Sequence, residues 1–166
     1  MSRPVDPLDV AVLTSFAREP RIGVLEVSRR LRVARGTVQA RLDRLTRDRV
    51  ISGWGPTIDP TALGYPVMAF ATLEISQGRG HQVVAEHLSA IPEVLEAYTI
   101  TGAGDMLCRM VAKSNSDLQR VIDAVVTFDG VQRASTVIAL ATQVPHRVLP
   151  LLSEAGREAE REHQVM

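Results

Sequence analysis

Apolar side chains recur at helical spacing three times in the first fifty residues. The first run opens near Asp6 or Pro7 and repeats Leu8, Val12 (or Ala11) and Phe16 on one side. It stops by "REP", where Pro20 has no N–H with which to extend a helix. The second, "IGVLEVSRRL", places Val24, Val27 and Leu31 at i, i+3 and i+7. The third runs from about Arg35 to Asp48, with Val38, Leu42 and Leu45 as its inward stripe. At about 100° per residue, this spacing predicts Arg41, Arg44 and Arg47 on the opposite, solvent side. The connection "RVAR" between the second and third helices is as short as a helix-turn-helix requires. "VISGWGPTIDP" then alternates and turns at Gly53 and Gly55, which predicts a short wing strand or hairpin.

After "DPTALGY" the period changes. "PVMAFATLEIS" alternates as a strand, with Val67, Ala69, Ala71, Leu73 and Ile75 on one side. "GHQVVAEHLSAI" returns to helical spacing through Val84, Leu88 and Ile91, and "EVLEAYTITG" and "DMLCRMVAK" read as strands around a tight turn at "GAG". "SDLQRVIDAVVTF" is an amphipathic helix capped by Ser114 or Ser116, and "VQRASTVIALA" closes as a strand. A shift of 37 positions lays "IPEVLEAYTI" (91–100) over "FDGVQRASTV" (128–137). Two repeated helix-turn-strand units in the order βαββαβ describe a ferredoxin-like sheet with both helices on one face. The other face stays apolar, with only "PHRVLPLL" (145–152) as a candidate cover, and an uncovered apolar face predicts self-association.

The fold class expected is therefore α+β: a winged helix-turn-helix over 1–60, a ferredoxin-like domain over 61–150, and a charged tail over 151–166, helical and frayed or exposed. No segment approaches the roughly 20 uninterrupted apolar residues of a membrane span. The first ten residues lack the apolar core of a secretory signal, and one cysteine, Cys108, cannot close an internal disulfide. Both features suit a cytoplasmic protein.

Charge sharpens this division. The formal net charge is zero, yet residues 1–60 hold 11 Arg against 7 acidic residues, and 61–166 hold 8 basic against 12 acidic residues. Eight of those arginines fall between residues 29 and 50. A basic helix is often no more than a solvated surface. Here it follows a helix-turn-helix spacing, and its first turn carries Arg35, Gly36 and Thr37, followed by Gln39. Arg can fork onto guanine, Gln can pair with adenine and the Thr methyl can meet thymine, which makes double-stranded DNA the candidate partner.

Catalytic chemistry is poorly supported. His81, His87, His146 and His163 have no metal-ligand spacing and no nearby nucleophile, so no metal and no cofactor is expected. Cys108 alternates with Met106 and Met110, a core pattern. Trp54 and Tyr65 read as packing residues. "TGAGD" (101–105) is, on chemistry alone, a turn in which Gly and Asp are the default residues. Glycines also let a backbone approach a small ligand, and a carboxylate can pair with an amino group.

Taken together, "LD..VL", "RI...E.S..L", "TV..RL..L...VI.G" and "DP..LGY", followed by a βαββαβ half, resemble the Lrp/AsnC (feast/famine) transcriptional regulators over residues 8 to about 150. The resemblance implies a DNA-binding domain joined to a domain that binds a small effector, an amino acid or related metabolite. It also implies dimers and higher oligomers. It carries DNA contact to Arg35, Thr37, Gln39, Arg41, Arg44 and Arg47. It carries effector contact to Thr101, Gly102, Asp105 and Thr136, in a cleft between dimers.

Several positions depart from the family pattern. Ala34 stands where Ser usually caps the recognition helix, Gly36 weakens the first turn, and Arg49 stands where a glycine is usual. Ala103 and Gly104 replace an acidic and aromatic pair. Two other classes stay open beside a regulator: an effector-sensing oligomer without DNA binding, and a sirohaem decarboxylase-like subunit. The second wants His and Arg around "YTITGAGDML", and this chain has neither there.

Overall fold

The computed structural model describes residues 5–76, 78 and 80–165. It divides into two compact units: Met1–Pro56 together with Val144–Met166, and Thr57–Gln143.

The first unit is built on three helices, α1 (Pro7–Arg18), α2 (Val24–Leu31) and α3 (Arg35–Arg47). Val12, Val27, Val38 and Leu42 form its core, with Leu8, Phe16, Ile22 and Ile51 packed around them. Asp6 caps α1: its carboxylate accepts from the Asp9 N–H at 2.9 Å, and the Asp9 carboxylate accepts from the Asp6 N–H at 3.0 Å. That reciprocal pair satisfies two otherwise orphaned donors.

Helices α2 and α3 end in the same way. After α2, Arg32 takes a left-handed backbone (φ 56°), with Arg32 N–H donating to Arg29 O and Val33 N–H to Ser28 O. After α3, Arg49 does the same (φ 57°), with bonds from Arg49 N–H to Thr46 O and from Val50 N–H to Leu45 O. Both are Schellman endings, whose left-handed position normally falls to glycine.

Two expectations for this unit need correction. The stretch around Trp54 forms no strand among the described residues, so the wing is irregular chain rather than a strand or hairpin. Pro56 has no N–H to give a ladder. Trp54 instead meets Phe16 edge-on, with ring centroids 5.5 Å apart. The charged tail is helical as expected, α6 (Leu149–Val165), but it packs on α1 instead of standing free. Gly156 is buried there, where a Cβ would come within 3.0 Å of Val10. The stretch 145–152 belongs to this unit as well.

The second unit is a four-stranded antiparallel sheet in the order β2-β3-β1-β4, from β1 (Val67–Ile75), β2 (Val94–Thr99), β3 (Met106–Ala112) and β4 (Val131–Ala139). Helices α4 (His81–Ser89) and α5 (Asn115–Val126) supply Val84, Leu88, Leu118, Val121 and Val125 to a core shared with Ala69, Ala71, Leu73, Met106, Cys108 and Met110. Ser114 caps α5, accepting from the Asp117 N–H at 3.0 Å. The 37-residue repeat is visible in the hydrogen bonds: Val94 N–H donates to Ile91 O at 3.0 Å, and Val131 N–H to Phe128 O at 2.9 Å. His87 joins the helix layer, stacked on Phe128 with Nε2 2.9 Å from Ala124 O.

On the far side of the sheet, cross-strand register groups Met68 and Phe70 of β1 with Tyr98 of β2, Leu107 of β3 and Val137 of β4. Val137 is 62% exposed and Tyr98 52%.

Candidate functional site

Helix α3 presents Arg35, Gly36, Gln39, Ala40, Asp43, Thr46 and Arg47 to solvent and buries Val38, Leu42 and Leu45. Arg47 is on the open side, as its spacing requires. Arg41 and Arg44 are not, and the reading that placed them there is corrected. Arg41 is three residues past Val38 and four before Leu45, so it flanks the buried stripe, and Arg44 adjoins Leu45. Their side chains are only 27% and 18% exposed.

The reason is a carboxylate that the sequence pattern did not single out. Asp9 is wholly buried on α1. Arg41 Nη1 donates to Asp9 Oδ1 at 2.9 Å and also to Asp6 Oδ2, and Arg44 Nη2 donates to Asp9 Oδ2. Burial alone would push the Asp9 carboxyl up. Hydrogen bonds from Arg44 and then Arg41 outweigh it and hold the group below the usual carboxylate range. The same bonds raise both guanidinium pKa values: Asp6 and then Asp9 act on Arg41, and Asp9 acts on Arg44. An aspartate three residues into α1 ("VDPLD") was the available signal, because α1 and α3 must meet to close a three-helix core.

The other arginines of the basic stretch differ in their commitments. Arg30 is tied to Glu19 at 2.5 Å and to Glu26 at 3.1 Å, and Arg47 lies 3.5 Å from Asp48. Arg32, Arg35 and Arg49 are exposed and have no ion-pair partner among the described residues. Ala34 is the N-cap of α3 and supplies no side-chain bond. The Thr37 N–H turns back to Ala34 O at 3.0 Å, and no side-chain cap serves the N–H groups of Arg35 and Gly36 before it.

Gln39 and Asp43 form a pair on the exposed face, Gln39 Nε2 donating to Asp43 Oδ1 at 2.8 Å. Because a carboxylate only accepts, this bond fixes which way the Gln39 amide faces. It leaves Oε1 and one N–H for an outside partner. Asp43 was missed because attention to cations passes over an acid in a basic helix.

In the second unit, "TGAGD" joins β2 to β3. Thr101, Gly102 and Ala103 are exposed, and Gly102 has φ +112°. Gly104 is required by close approach to β1: a Cβ there would collide with Thr72 Cγ2 and lie 3.0 Å from Leu73 O. Asp105 is engaged locally. Its N–H donates to Leu73 O at 2.8 Å, and its Oδ2 accepts from the Ile75 N–H at 2.7 Å. Thr136 lies opposite Ala71 on β4, the other neighbour of β1. Strand β1 thus runs between Asp105 and Thr136, and one protomer does not bring them together.

Cys108 is buried with Sγ 3.6 Å from Ala71 O, and burial pushes its thiol pKa up, as expected of core packing. Among the described residues no group of three or more His, Cys, Asp or Glu side chains is placed to hold a metal, and no helix is long and apolar enough to cross a membrane. The side chain of His163 lies outside the described residues.

Comparison with known proteins follows this division. A family model described as winged helix-turn-helix DNA-binding matches residues 5–52, and one described as the Lrp/AsnC ligand binding domain matches residues 68–149. An HTH-type transcriptional regulator of Pyrococcus abyssi is 32% identical over 135 residues, covering 81% of this chain and 85% of that protein. The structure of Escherichia coli AsnC superposes with a TM-score of 0.82 at 25% identity, covering 89% of this chain and all of that one. The feast or famine regulatory protein Rv3291c of Mycobacterium tuberculosis, complexed with L-methionine, superposes with a TM-score of 0.75 at 23% identity, covering 84% and 95%.

Proposed function

The chain belongs to the Lrp/AsnC family of transcriptional regulators, and from that premise we propose that it is a cytoplasmic amino-acid-responsive regulator that reads DNA with the exposed side of α3. The observation that carries this reading is the open strip Arg35, Gln39 and Arg47 on a helix whose opposite stripe is core. Arg35 and Gln39, in its first two turns, suit base edges in the major groove, with Thr37 beside them. Arg47, with Arg32 and Arg49 at the two helix ends, suits the phosphate backbone.

Two copies are needed for a two-fold operator, and the far side of the sheet, with Phe70, Leu107 and Val137, suits pairing with a second sheet. Pairing of dimers would also supply what one protomer lacks. Thr101, Gly102 and Asp105 of one copy and Thr136 of another would frame a small amphoteric ligand. The methionine complex of Rv3291c supports the amino-acid class. In this arrangement the Asp105 carboxylate keeps its Ile75 bond and offers its second oxygen to an ammonium group.

The test is capture of genomic fragments by the full chain across a salt series, with and without the twenty amino acids. Retention that falls steeply with salt and shifts with an amino acid is expected. Amino-acid binding by calorimetry with no retention of any duplex would leave an effector-sensing protein instead.

A further inference from the structure

Arg41 and Arg44 look spent, because both are paired with acids of their own chain. Their donors show otherwise. A guanidinium carries five N–H groups on three nitrogens. Asp6 and Asp9 engage only Nη1 of Arg41, and Asp9 engages only Nη2 of Arg44. Nε and Nη2 of Arg41, and Nε and Nη1 of Arg44, have no partner among the described residues. Both side chains line a shallow groove on the surface of α3, together with Thr37, Gly36 and Ala40. Gly36 and Ala40 stand one helical turn apart, and a Cβ on Gly36 would meet nothing within 4 Å. The groove is therefore open, with two held guanidiniums and a hydroxyl along it.

We infer that this groove seats a phosphodiester of DNA, and that the buried Asp9 is the positioning residue that holds Arg41 and Arg44 in the orientation to grip it. The inference rests on the DNA-binding reading above and adds to it a site and a residue that touches no nucleic acid itself. Its chemistry is specific. Two carboxylates offset the two arginines, so the net charge around the groove is close to zero and bulk attraction is weak. Directed N–H donors on pre-set guanidiniums would do the binding, the geometry in which arginine surpasses lysine. Asp9 supplies that setting from the interior, where its oxygens cannot reach a phosphate. If packing of α1 on α3 were its whole role, apolar side chains of similar volume would serve as well as a buried ion pair. The carboxylate costs desolvation and returns orientation.

This reading and plain electrostatics predict opposite signs. Asp9→Asn removes a negative charge, which by Coulomb's law alone raises affinity for a polyanion. Under the positioning role it lowers affinity, because Arg44 loses its anchor and Arg41 keeps only Asp6. Arg44→Lys keeps the charge but gives up the planar fork whose separate nitrogens face Asp9 and the phosphate. The experiment measures equilibrium binding of the full chain to a mixed-sequence 30-base-pair duplex and to a captured genomic site, across a salt series, with circular dichroism confirming the fold.

Both variants are expected to bind both duplexes about tenfold more weakly, the scale of one charge-assisted hydrogen bond. Their salt slopes should fall by about 0.9 for each phosphate that is no longer neutralised. Asp9→Asn binding as tightly as the wild type or tighter would overturn the inference, as would Arg44→Lys binding unchanged. A loss confined to the genomic site would also overturn it, because the pair would then be reading bases. If Asp9→Asn fails to fold, Arg44→Lys with Asp9 in place decides alone. Absence of wild-type binding to any duplex would instead overturn the DNA reading itself, and the phosphate seat with it.

Discussion

Arg44 of α3 closes on Asp9 of α1, a carboxylate wholly buried in the first unit, while Arg41 takes the other oxygen of Asp9 at 2.9 Å. One interior acid thus ties the helix that faces outward to the helix that opens the chain's first core. Stability and surface chemistry meet at this point, and a change on either side is felt on the other.

The pair sets an acid limit on the first unit. The Asp9 carboxyl is held below its usual range in the folded chain. Its stabilising share is therefore fully present above the unfolded value of about 3.9 and is lost as pH falls through the lower folded value. Melting temperature followed by circular dichroism from pH 7 to pH 2 should drop across the acid end of that range, and Asp9→Asn should flatten the drop. The substitution is expected to cost about 2 kcal/mol at pH 7. That is less than for a fully sealed pair, because both arginines retain some access to water.

Arg32 and Arg49 occupy left-handed backbone positions at the ends of α2 and α3. A side chain in that region costs about 1 kcal/mol relative to glycine. Arg32→Gly and Arg49→Gly should each raise stability by about that amount in urea unfolding. Each should also weaken DNA binding and reduce its salt slope by about 0.9, if both cations meet phosphates. Higher stability with an unchanged slope would remove the two residues from the DNA interface.

Gln39 should select adenine at one position in each half-site, since the bond to Asp43 leaves it one acceptor and one donor. In a selection from randomised duplexes, Gln39→Ala is expected to erase that preference. Asp43→Ala should blur it by freeing the amide to turn over, and Asp43→Glu should keep it. Identical profiles for Gln39→Ala and the wild type would exclude Gln39 from base reading.

Gly104 is fixed by close packing rather than by torsion. Gly104→Ala should destabilise the second unit by about 1–3 kcal/mol, as overpacking does, because the added methyl meets Thr72 and the Leu73 carbonyl. Gly102→Ala meets no atom within 4 Å and carries only the penalty of its positive φ, about 1 kcal/mol. Thermal melts of the two variants would rank them, and equal losses would contradict the close approach at Gly104.

The sheet's far side gives a further test. Val137→Arg, at a position 62% exposed in the protomer, should leave the fold intact and shift sedimentation from an oligomer toward a monomer. An unchanged sedimentation coefficient would remove this face from assembly.

Where one rule dominates, the sequence is easy to read. Val84 with Leu88, and Leu118 with Val121 and Val125, have no reasonable burial except against a sheet, so α4, α5 and the element order βαββαβ were legible from period and repeat. The αL endings at Arg32 and Arg49 were not, because an arginine there hides the glycine signal that marks such a turn. The wing's irregular path was not legible either: Gly53 and Gly55 punctuate a chain without saying whether the residues between them pair. That Arg47 faces solvent was legible from helical spacing. Arg41 and Arg44 were misplaced because the wheel was read for cations without asking which acid, thirty-odd residues upstream, would compete for them. Asp105 could not be read as a brace for β1, since that depends on a main-chain donor thirty residues away.

Helix α6 packs on α1, yet the whole second unit is encoded between the two. During synthesis the three N-terminal helices emerge from the ribosome well before the helix that covers them. The surface on α1 around Val10 therefore stays bare until the chain of the second unit has been synthesised. The first unit is completed only by the last helix to be made, an order imposed by gene layout rather than by interaction energy.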